Sequence, residues 1–156
     1  MISKVILRDV TESDLPIFFE QQLDPEATAM AEFPSRDREA FMAHWKKIMA
    51  AESAILKTIL WDDQVAGNIV SWEASGEREV GYWVGKEFWG KGIATKALAA
   101  FLEIEKTRPL WAHVAKHNIG SRRVLEKCGF MVVEEDRQVN IGDEEAEEFI
   151  LKLDAM

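Results

Sequence analysis

The 156-residue chain is short of most features that would place it outside the cytosolic globular class. It has one cysteine, Cys128, so no intrachain disulfide can form and a reduced thiol in a cytoplasmic protein is expected. It has no apolar run near the roughly 18–20 residues that cross a bilayer. Met1-Ile2-Ser3-Lys4 leads straight into a strand-like run, without the apolar stretch of a signal peptide. No membrane partner is expected. Basic charge is scarce: 19 Lys and Arg against 28 Asp and Glu give a formal net charge of −9. General nucleic-acid binding needs a basic face, so it is not expected either. His44, His113 and His117 are scattered and no Cys/His cluster offers a metal site. Repeats and low-complexity tracts are also missing. What remains is a single domain over residues 1–156, with 47% hydrophobic residues to build its core.

The charges that are there are unevenly placed. From His113 to Lys127 stand four cations (Lys116, Arg122, Arg123, Lys127), two histidines and one acid, Glu126. From Glu134 to Glu148 stand eight acids and one arginine. A local basic patch in an acidic chain points to an anionic ligand held at one place. The Asp143–Glu148 stretch reads as a solvated hairpin tip.

Periodicity and capping residues divide the chain into β-α-α-β-β-β-α-β-α-β-β. Ile2–Arg8 reads as a strand. Thr11 caps a helix with Asp14 at the capping-box position and Leu15, Phe18, Phe19 and Leu23 on its buried face. Pro25 and Pro34 bracket a loop before a helix from Arg36 to Ala51. Ala54–Trp61 and Val65–Ala74 form a hairpin around Asp62-Asp63-Gln64, and Arg78–Val84 is the next strand. An amphipathic helix runs from Ile93 to Lys106 and stops before Pro109. Leu110–Ala115 is a strand. Asn118–Cys128 is a helix with Asn118 as N-cap and Gly129 just past its end. Phe130–Arg137 and Ala146–Leu153 pair across Asn140-Ile141-Gly142-Asp143. The fold class is therefore α/β, a mixed and mostly antiparallel sheet with helices on both faces. Its one parallel crossover, Arg78 to Ala115, contains the most informative segment.

That segment is Trp83-Val84-Gly85-Lys86-Glu87-Phe88-Trp89-Gly90-Lys91-Gly92-Ile93-Ala94-Thr95. A strand enters a Gly-rich turn and leaves as a helix N-terminus, which aims backbone N–H groups and the positive end of a helix dipole at one point. This arrangement suits a phosphate. Gly90, Gly92 and Thr95 match the dinucleotide fingerprint G-x-G-x-x-G only in part, and the P-loop pattern is absent. One strand later comes Asn118-Ile119-Gly120-Ser121-Arg122-Arg123-Val124-Leu125-Glu126-Lys127-Cys128-Gly129-Phe130. Caps alone explain Asn118 and Gly129, but they do not explain the density of cations.

The two segments together resemble the GNAT superfamily of acetyl-CoA-dependent N-acetyltransferases. That family carries a Gln/Arg-x-x-Gly-x-Gly/Ala loop, here Trp89-Gly90-Lys91-Gly92-Ile93-Ala94. It also carries an Asn-x-x-Ser/Ala helix ending Lys-x-Gly-Phe, here Asn118 to Ser121 and Lys127 to Phe130. Trp89 before Gly-Lys-Gly, and the Ser-Arg-Arg-Val-Leu-Glu-Lys run, look most like the ribosomal-protein N-terminal acetyltransferase branch. The resemblance implies a central parallel strand pair splayed to admit acetyl-CoA. Trp89, Gly90, Lys91, Gly92, Ile93, Ala94 and Thr95 would hold its pyrophosphate, and Trp83 and Val84 would pair with its pantetheine arm. Asn118 and Ser121 would contact the arm, and Arg122 or Arg123 a phosphate. The partners implied are acetyl-CoA and an amine, either a protein N-terminus or a small molecule, served by a monomer or homodimer.

The chemistry implied is attack of a neutral amine on a thioester. An ammonium must first lose a proton, so a carboxylate base, acting directly or through water, is useful. Glu79 stands where the family often places its base, with Glu73 and Glu87 as competitors. A strand N–H at Val84 or Gly85 would serve the developing oxyanion. Two features depart from the family: Trp89 replaces Gln/Arg, and Leu125 stands where many members have a tyrosine acid. The missing tyrosine keeps open a rival, a non-catalytic acyl-CoA-binding module. Most of the six tryptophans are expected in the core or sheet, with Trp61 and Trp72 as candidate walls of an acceptor pocket. Cys128 is expected to be packed rather than reactive.

Overall fold

β-Branched and aromatic residues concentrate in seven segments, and these pair into one sheet in the computed structural model, which describes residues 4–31, 36–141 and 144–155. The strands are β1 (Val5–Asp9), β2 (Ile55–Trp61), β3 (Gln64–Ala74), β4 (Glu77–Val84), β5 (Leu110–Ala115), β6 (Met131–Ile141) and β7 (Glu144–Leu153), in spatial order β1-β2-β3-β4-β5-β7-β6. Every neighbouring pair is antiparallel except β4–β5. The helices are α1 (Leu15–Gln22), α2 (Pro25–Ala31), α3 (Arg38–Met49), α4 (Ile93–Leu102) and α5 (Ile119–Lys127).

Alternation along the strands sorts side chains to two faces. On one face Ile93, Ala97, Leu98 and Phe101 of α4 and Leu125 of α5 pack with Ile69, Val80, Leu110, Ala112 and Leu151 into the main core. On the other, Leu15, Phe18 and Phe19 of α1 and Phe41 and Trp45 of α3 pack against Val65 and Val70 of β3. Val65 and Val70 share that face despite their odd separation because the β2–β3 register slips by one residue between Ile59 and Leu60. In β4, Gly81 pairs with Val70. Glu79, Gly81 and Trp83 therefore lie on the α1/α3 face, while Val80, Tyr82 and Val84 lie on the α4/α5 face.

The caps at Thr11–Asp14 and Asn118 stand where expected: Thr11 N–H donates to Asp14 and Ser121 N–H to Asn118 Oδ1. The helix expected from Arg36 to Ala51 runs from Arg38 to Met49, and its N-cap is Asp37, whose carboxylate accepts from Ala40 N–H. Gly129 takes φ +100° beyond α5. Two expectations need correction. The segment read as a loop after Pro25 forms α2, with Pro25 at its first position and Asp24 accepting from Glu26 N–H at 2.9 Å. Pro34 lies outside the described residues, as do Ile2 and the Gly142-Asp143 turn. Second, α4 ends at Leu102 rather than running to Lys106. Glu105 leaves the helical path to reach the interior, where its carboxylate accepts from Arg78 Nε at 2.5 Å and Ser71 Oγ at 2.7 Å. Of the tryptophans, only Trp45 joins the buried core; Trp61, Trp72, Trp83 and Trp111 stand on strands and Trp89 in the loop before α4.

Candidate functional site

The parallel strands register only at Arg78↔Leu110 and Glu79↔Trp111, although β4 continues to Val84 and β5 to Ala115. Where the pairing stops, a cavity of about 500 Å³ opens between the end of β4, the loop before α4 and the start of α5. Its volume is that of a small-ligand site. Trp83 and Val84 line it from β4, Trp89, Gly90 and Gly92 from the loop, and Ile93, Ala94 and Thr95 from the first turn of α4. Asn118 and Ser121 line it from α5. Ten of the candidate binding residues are thus brought to one cavity.

Gly90 and Gly92 have φ of +78° and +74°, and no heavy atom lies within 4 Å of where a Cβ would stand on either. Glycine is needed there for the left-handed backbone, not for space. The first helical bond of α4 runs from Lys96 N–H to the Gly92 carbonyl. The N–H groups of Ile93, Ala94 and Thr95 therefore have no partner within the helix. Trp89 turns its indole N–H to the Val84 carbonyl at 2.8 Å, tying the loop to the end of β4. The buried Trp83 Nε1 has no partner among the described residues, and Trp83 is one of the residues that line the cavity. Glycine-rich backbone, unpaired N–H groups and an apolar wall form a donor set that fits a phosphate-bearing ligand with an extended arm.

Two cations stand elsewhere. Lys91 Nζ lies over the Trp61 ring at 5.2 Å, and the Arg122 guanidinium stacks on Phe149 at 4.5 Å while Nε faces Glu126 at 3.3 Å. Neither lines the cavity. The pull on Arg122 comes from its own helix and from β7, which sequence proximity to a ligand motif cannot reveal. Gly85 also differs from expectation. Its N–H donates to the Ala66 carbonyl at 2.8 Å and so is committed to β3.

Tyr82 was not singled out in the sequence. Its hydroxyl lies 2.7 Å from Ser121 Oγ inside the cavity wall, and burial pushes its pKa up to about 12 against the opposing Ser121 bond. Strand alternation from Val84 would have located it. Leu125, at the family's tyrosine position, is buried in the main core. Cys128 is half-buried, with Sγ 3.7 Å from the Thr95 carbonyl, and burial pushes its thiol pKa up. The raised pKa and the packing disfavour a thiolate there.

Glu79 lies at the last registered pair before the strands part, opposite Trp72 of β3 and Trp111 of β5. Its Oε1 is 3.3 Å from His113 Nε2, and His113 Nδ1 is 2.6 Å from Glu148 Oε1. Burial raises the Glu79 pKa, the His113 charge lowers it, and Glu77 and Glu148 raise it further, with a net upward shift. The hydrogen bond to Glu148 raises the His113 pKa against the effect of burial, and the charges of Glu79 and Glu148 reinforce it. Glu148, read from sequence as a solvated acid, is half-buried and faces His113. The competing acids are placed differently: Glu73 is 3.8 Å from Arg78, and Glu87 is exposed in the turn Lys86–Phe88.

Residues 4–131 match the family model described as "Acetyltransferase (GNAT) domain". The chain belongs to the GNAT acetyltransferase family. Among relatives, it is 34% identical over 102 residues to "Putative ribosomal N-acetyltransferase YdaF" of Bacillus subtilis (strain 168), covering 60% of this chain. The chain spans 55% of that relative's length. Among solved structures, it is similar to spermidine N-acetyltransferase from Vibrio cholerae in complex with CoA and spermine, with TM-score 0.80, 15% identity, and coverage of 96% and 94% of the two chains. It is also similar to RimL, a ribosomal L7/L12 alpha-N-protein acetyltransferase in complex with coenzyme A, with TM-score 0.79, 17% identity and coverage of 96% and 93%. No described helix is long and apolar enough to cross a membrane.

Proposed function

We propose that residues 1–156 act as one acetyl-CoA-dependent N-acetyltransferase domain, moving an acetyl group to a primary amine by direct attack in a ternary complex. The observation that carries this reading is the parting of β4 and β5 beyond Glu79↔Trp111, which opens into a cavity floored by the Gly-rich turn. Acetyl-CoA is the acyl donor. Trp89, Gly90 and Gly92 and the N–H groups of Ile93, Ala94 and Thr95 would hold its pyrophosphate, with Lys91 adding charge from the loop's outer side. Trp83 and Val84 would receive the pantetheine arm in strand fashion, with Asn118 and Ser121 on its other flank. Arg123, exposed on α5, is the free candidate for a phosphate where Arg122 is engaged with Phe149 and Glu126.

Glu79 accepts the ammonium proton of the acceptor, directly or through water, and so generates the nucleophilic amine. Its raised pKa places the base closer to the working pH. The Val84 N–H is the strand donor proposed for the developing oxyanion, given that Gly85 is committed to β3; the tetrahedral intermediate then collapses with cleavage of the C–S bond, and the departing CoA thiolate takes a proton from water. The acceptor is a cationic primary amine, either a protein N-terminus or a small amine such as a polyamine. RimL, by name an alpha-N-protein acetyltransferase, supports the first class, and the spermine bound to spermidine N-acetyltransferase supports the second.

The test is thiol release from acetyl-CoA against a panel of amines that includes peptides. Turnover with at least one amine is expected, together with a higher melting temperature in acetyl-CoA but not in NAD or ATP. A melting temperature unmoved by millimolar acetyl-CoA would sink the reading. Binding without turnover on any amine would favour an acyl-CoA-sensing module.

A further inference from the structure

The strand registers bring together three groups far apart in sequence. Glu79 on β4, His113 on β5 and Glu148 on β7 meet on the α1/α3 face, the imidazole between the two carboxylates at 3.3 and 2.6 Å. We propose that His113 is a positioning residue for the acceptor side of the reaction, holding Glu79 ionised and fixed in direction while Glu148 anchors the imidazole from behind. The proposal rests on the acetyltransferase reading above.

Both ring nitrogens face carboxylate oxygens, and only the doubly protonated imidazole donates to both. The cluster then holds two negative charges around one positive charge. A half-buried carboxylate beside a second one would otherwise tend to pick up a proton, and a carboxylic acid cannot take one from an ammonium. His113 engages Oε1 of Glu79, which leaves Oε2 for the acceptor or for a bridging water. The charged groups that act on the imidazole come from three strands. Glu79 stands on β4, where Glu77 acts on it in turn, and Glu148 on β7, while Arg137 on β6 opposes the imidazole proton. Lys152 of β7 is turned onto the Trp111 ring at 5.2 Å.

Position favours the same role. Glu79 sits where the gap between β4 and β5 begins, three residues before Tyr82 at the cavity wall, or about 10 Å along the strand. His113 itself does not line the cavity. A change at His113 should therefore act on proton removal and not on acetyl-CoA binding.

The experiment compares wild type with His113→Gln, His113→Ala, Glu79→Gln and Glu148→Gln, by NMR titration of the imidazole and by pH profiles of kcat and KM. Glu79→Gln and Glu148→Gln should each lower the pKa of His113. His113→Gln should lower kcat at neutral pH roughly tenfold, less than the ~10²–10⁴-fold expected for loss of the base itself. Its acidic limb should move to higher pH, and KM for acetyl-CoA should stay within about twofold. Free imidazole should restore part of the activity of His113→Ala. Should either His113 variant fold poorly, Glu148→Gln carries the same test, with a smaller shift of the acidic limb. An unshifted acidic limb with wild-type kcat in His113→Gln, or a His113 pKa insensitive to Glu79→Gln, overturns the proposal. If the imidazole responds as expected but wild type transfers acetyl to no amine, the acetyltransferase reading has failed and the positioning role falls with it.

Discussion

Trp89 donates its indole N–H to the Val84 carbonyl across 2.8 Å, joining the Gly-rich loop to the strand end that lines the same cavity. The ring is exposed, so its contribution to the core is small, and the bond's main effect is to fix where the loop begins. Trp89→Phe keeps the ring and removes the donor. A net hydrogen bond contributes about 0.5–1.5 kcal/mol. Acetyl-CoA affinity measured by calorimetry should fall roughly 2–10-fold on that scale, with the melting temperature nearly unchanged. Unchanged affinity would mean that the loop is positioned without Trp89.

Gly67 and Gly90 separate two reasons for glycine. A Cβ on Gly67 would stand 2.0 Å from the Trp83 carbonyl oxygen and 2.9 Å from Val84 Cα, both backbone atoms of β4. Gly67→Ala must push β3 from β4 at the cavity wall, at a cost of about 3 kcal/mol or more. Gly90 has open space but a φ of +78°. Gly90→Ala should cost about 1 kcal/mol, through backbone conformation alone. Urea unfolding of both variants checks the order, and equal losses would refute this account.

Glu105 and Arg78 form an ion pair with both side chains buried, and Ser71 bonds to each of them. Burial alone would raise the Glu105 pKa, but the bonds from Ser71 and Arg78 outweigh it and hold the carboxylate ionised. Truncation at Glu105 leaves the buried Arg78 guanidinium with the Ser71 hydroxyl and, at 3.8 Å, the half-exposed Glu73 carboxylate. Glu105→Ala should lose about 3–5 kcal/mol of stability, as expected when one partner of a buried pair is removed. Glu105→Gln, which keeps a hydrogen-bonding group, should lose less. Chemical denaturation of the two variants reads the difference.

This same pair marks where local sequence signals stopped being sufficient. Apolar periodicity carried the expected helix past Leu102, but Glu105 is drawn inward by Arg78 and Ser71, which lie 27 and 34 residues away. Strands, caps and the two glycines of the loop are local matters, and Asn118, Gly129, Gly90 and Gly92 adopt the conformations their residue types favour. The α2 helix was hidden because Pro25 signals a break as readily as a first helical turn. The meeting of His113 with Glu148 depends on the β5–β7 register, across 35 residues. Arg122 sits beside a ligand motif in sequence, yet Phe149 and Glu126 claim its guanidinium in space.

Two groups predict opposite pH limbs of stability. Burial alone would raise the Asp14 pKa, but bonds from Arg8, the Thr11 N–H and Thr58 together lower it from 3.8 to about 2. A depressed folded pKa contributes stability that is present above 3.8 and lost as pH falls toward about 2. At neutral pH this amounts to about 2 kcal/mol. The His113 pKa is raised above 6.5, chiefly by the bond to Glu148. Its contribution is complete below 6.5 and disappears as pH rises through the folded value. Urea midpoints measured across pH should therefore decline on both sides of a plateau. Asp14→Asn should flatten the acid limb and leave the alkaline limb, and His113→Gln should do the reverse. An acid limb that persists in Asp14→Asn would assign it to Glu105, the other buried carboxylate whose pKa is held down.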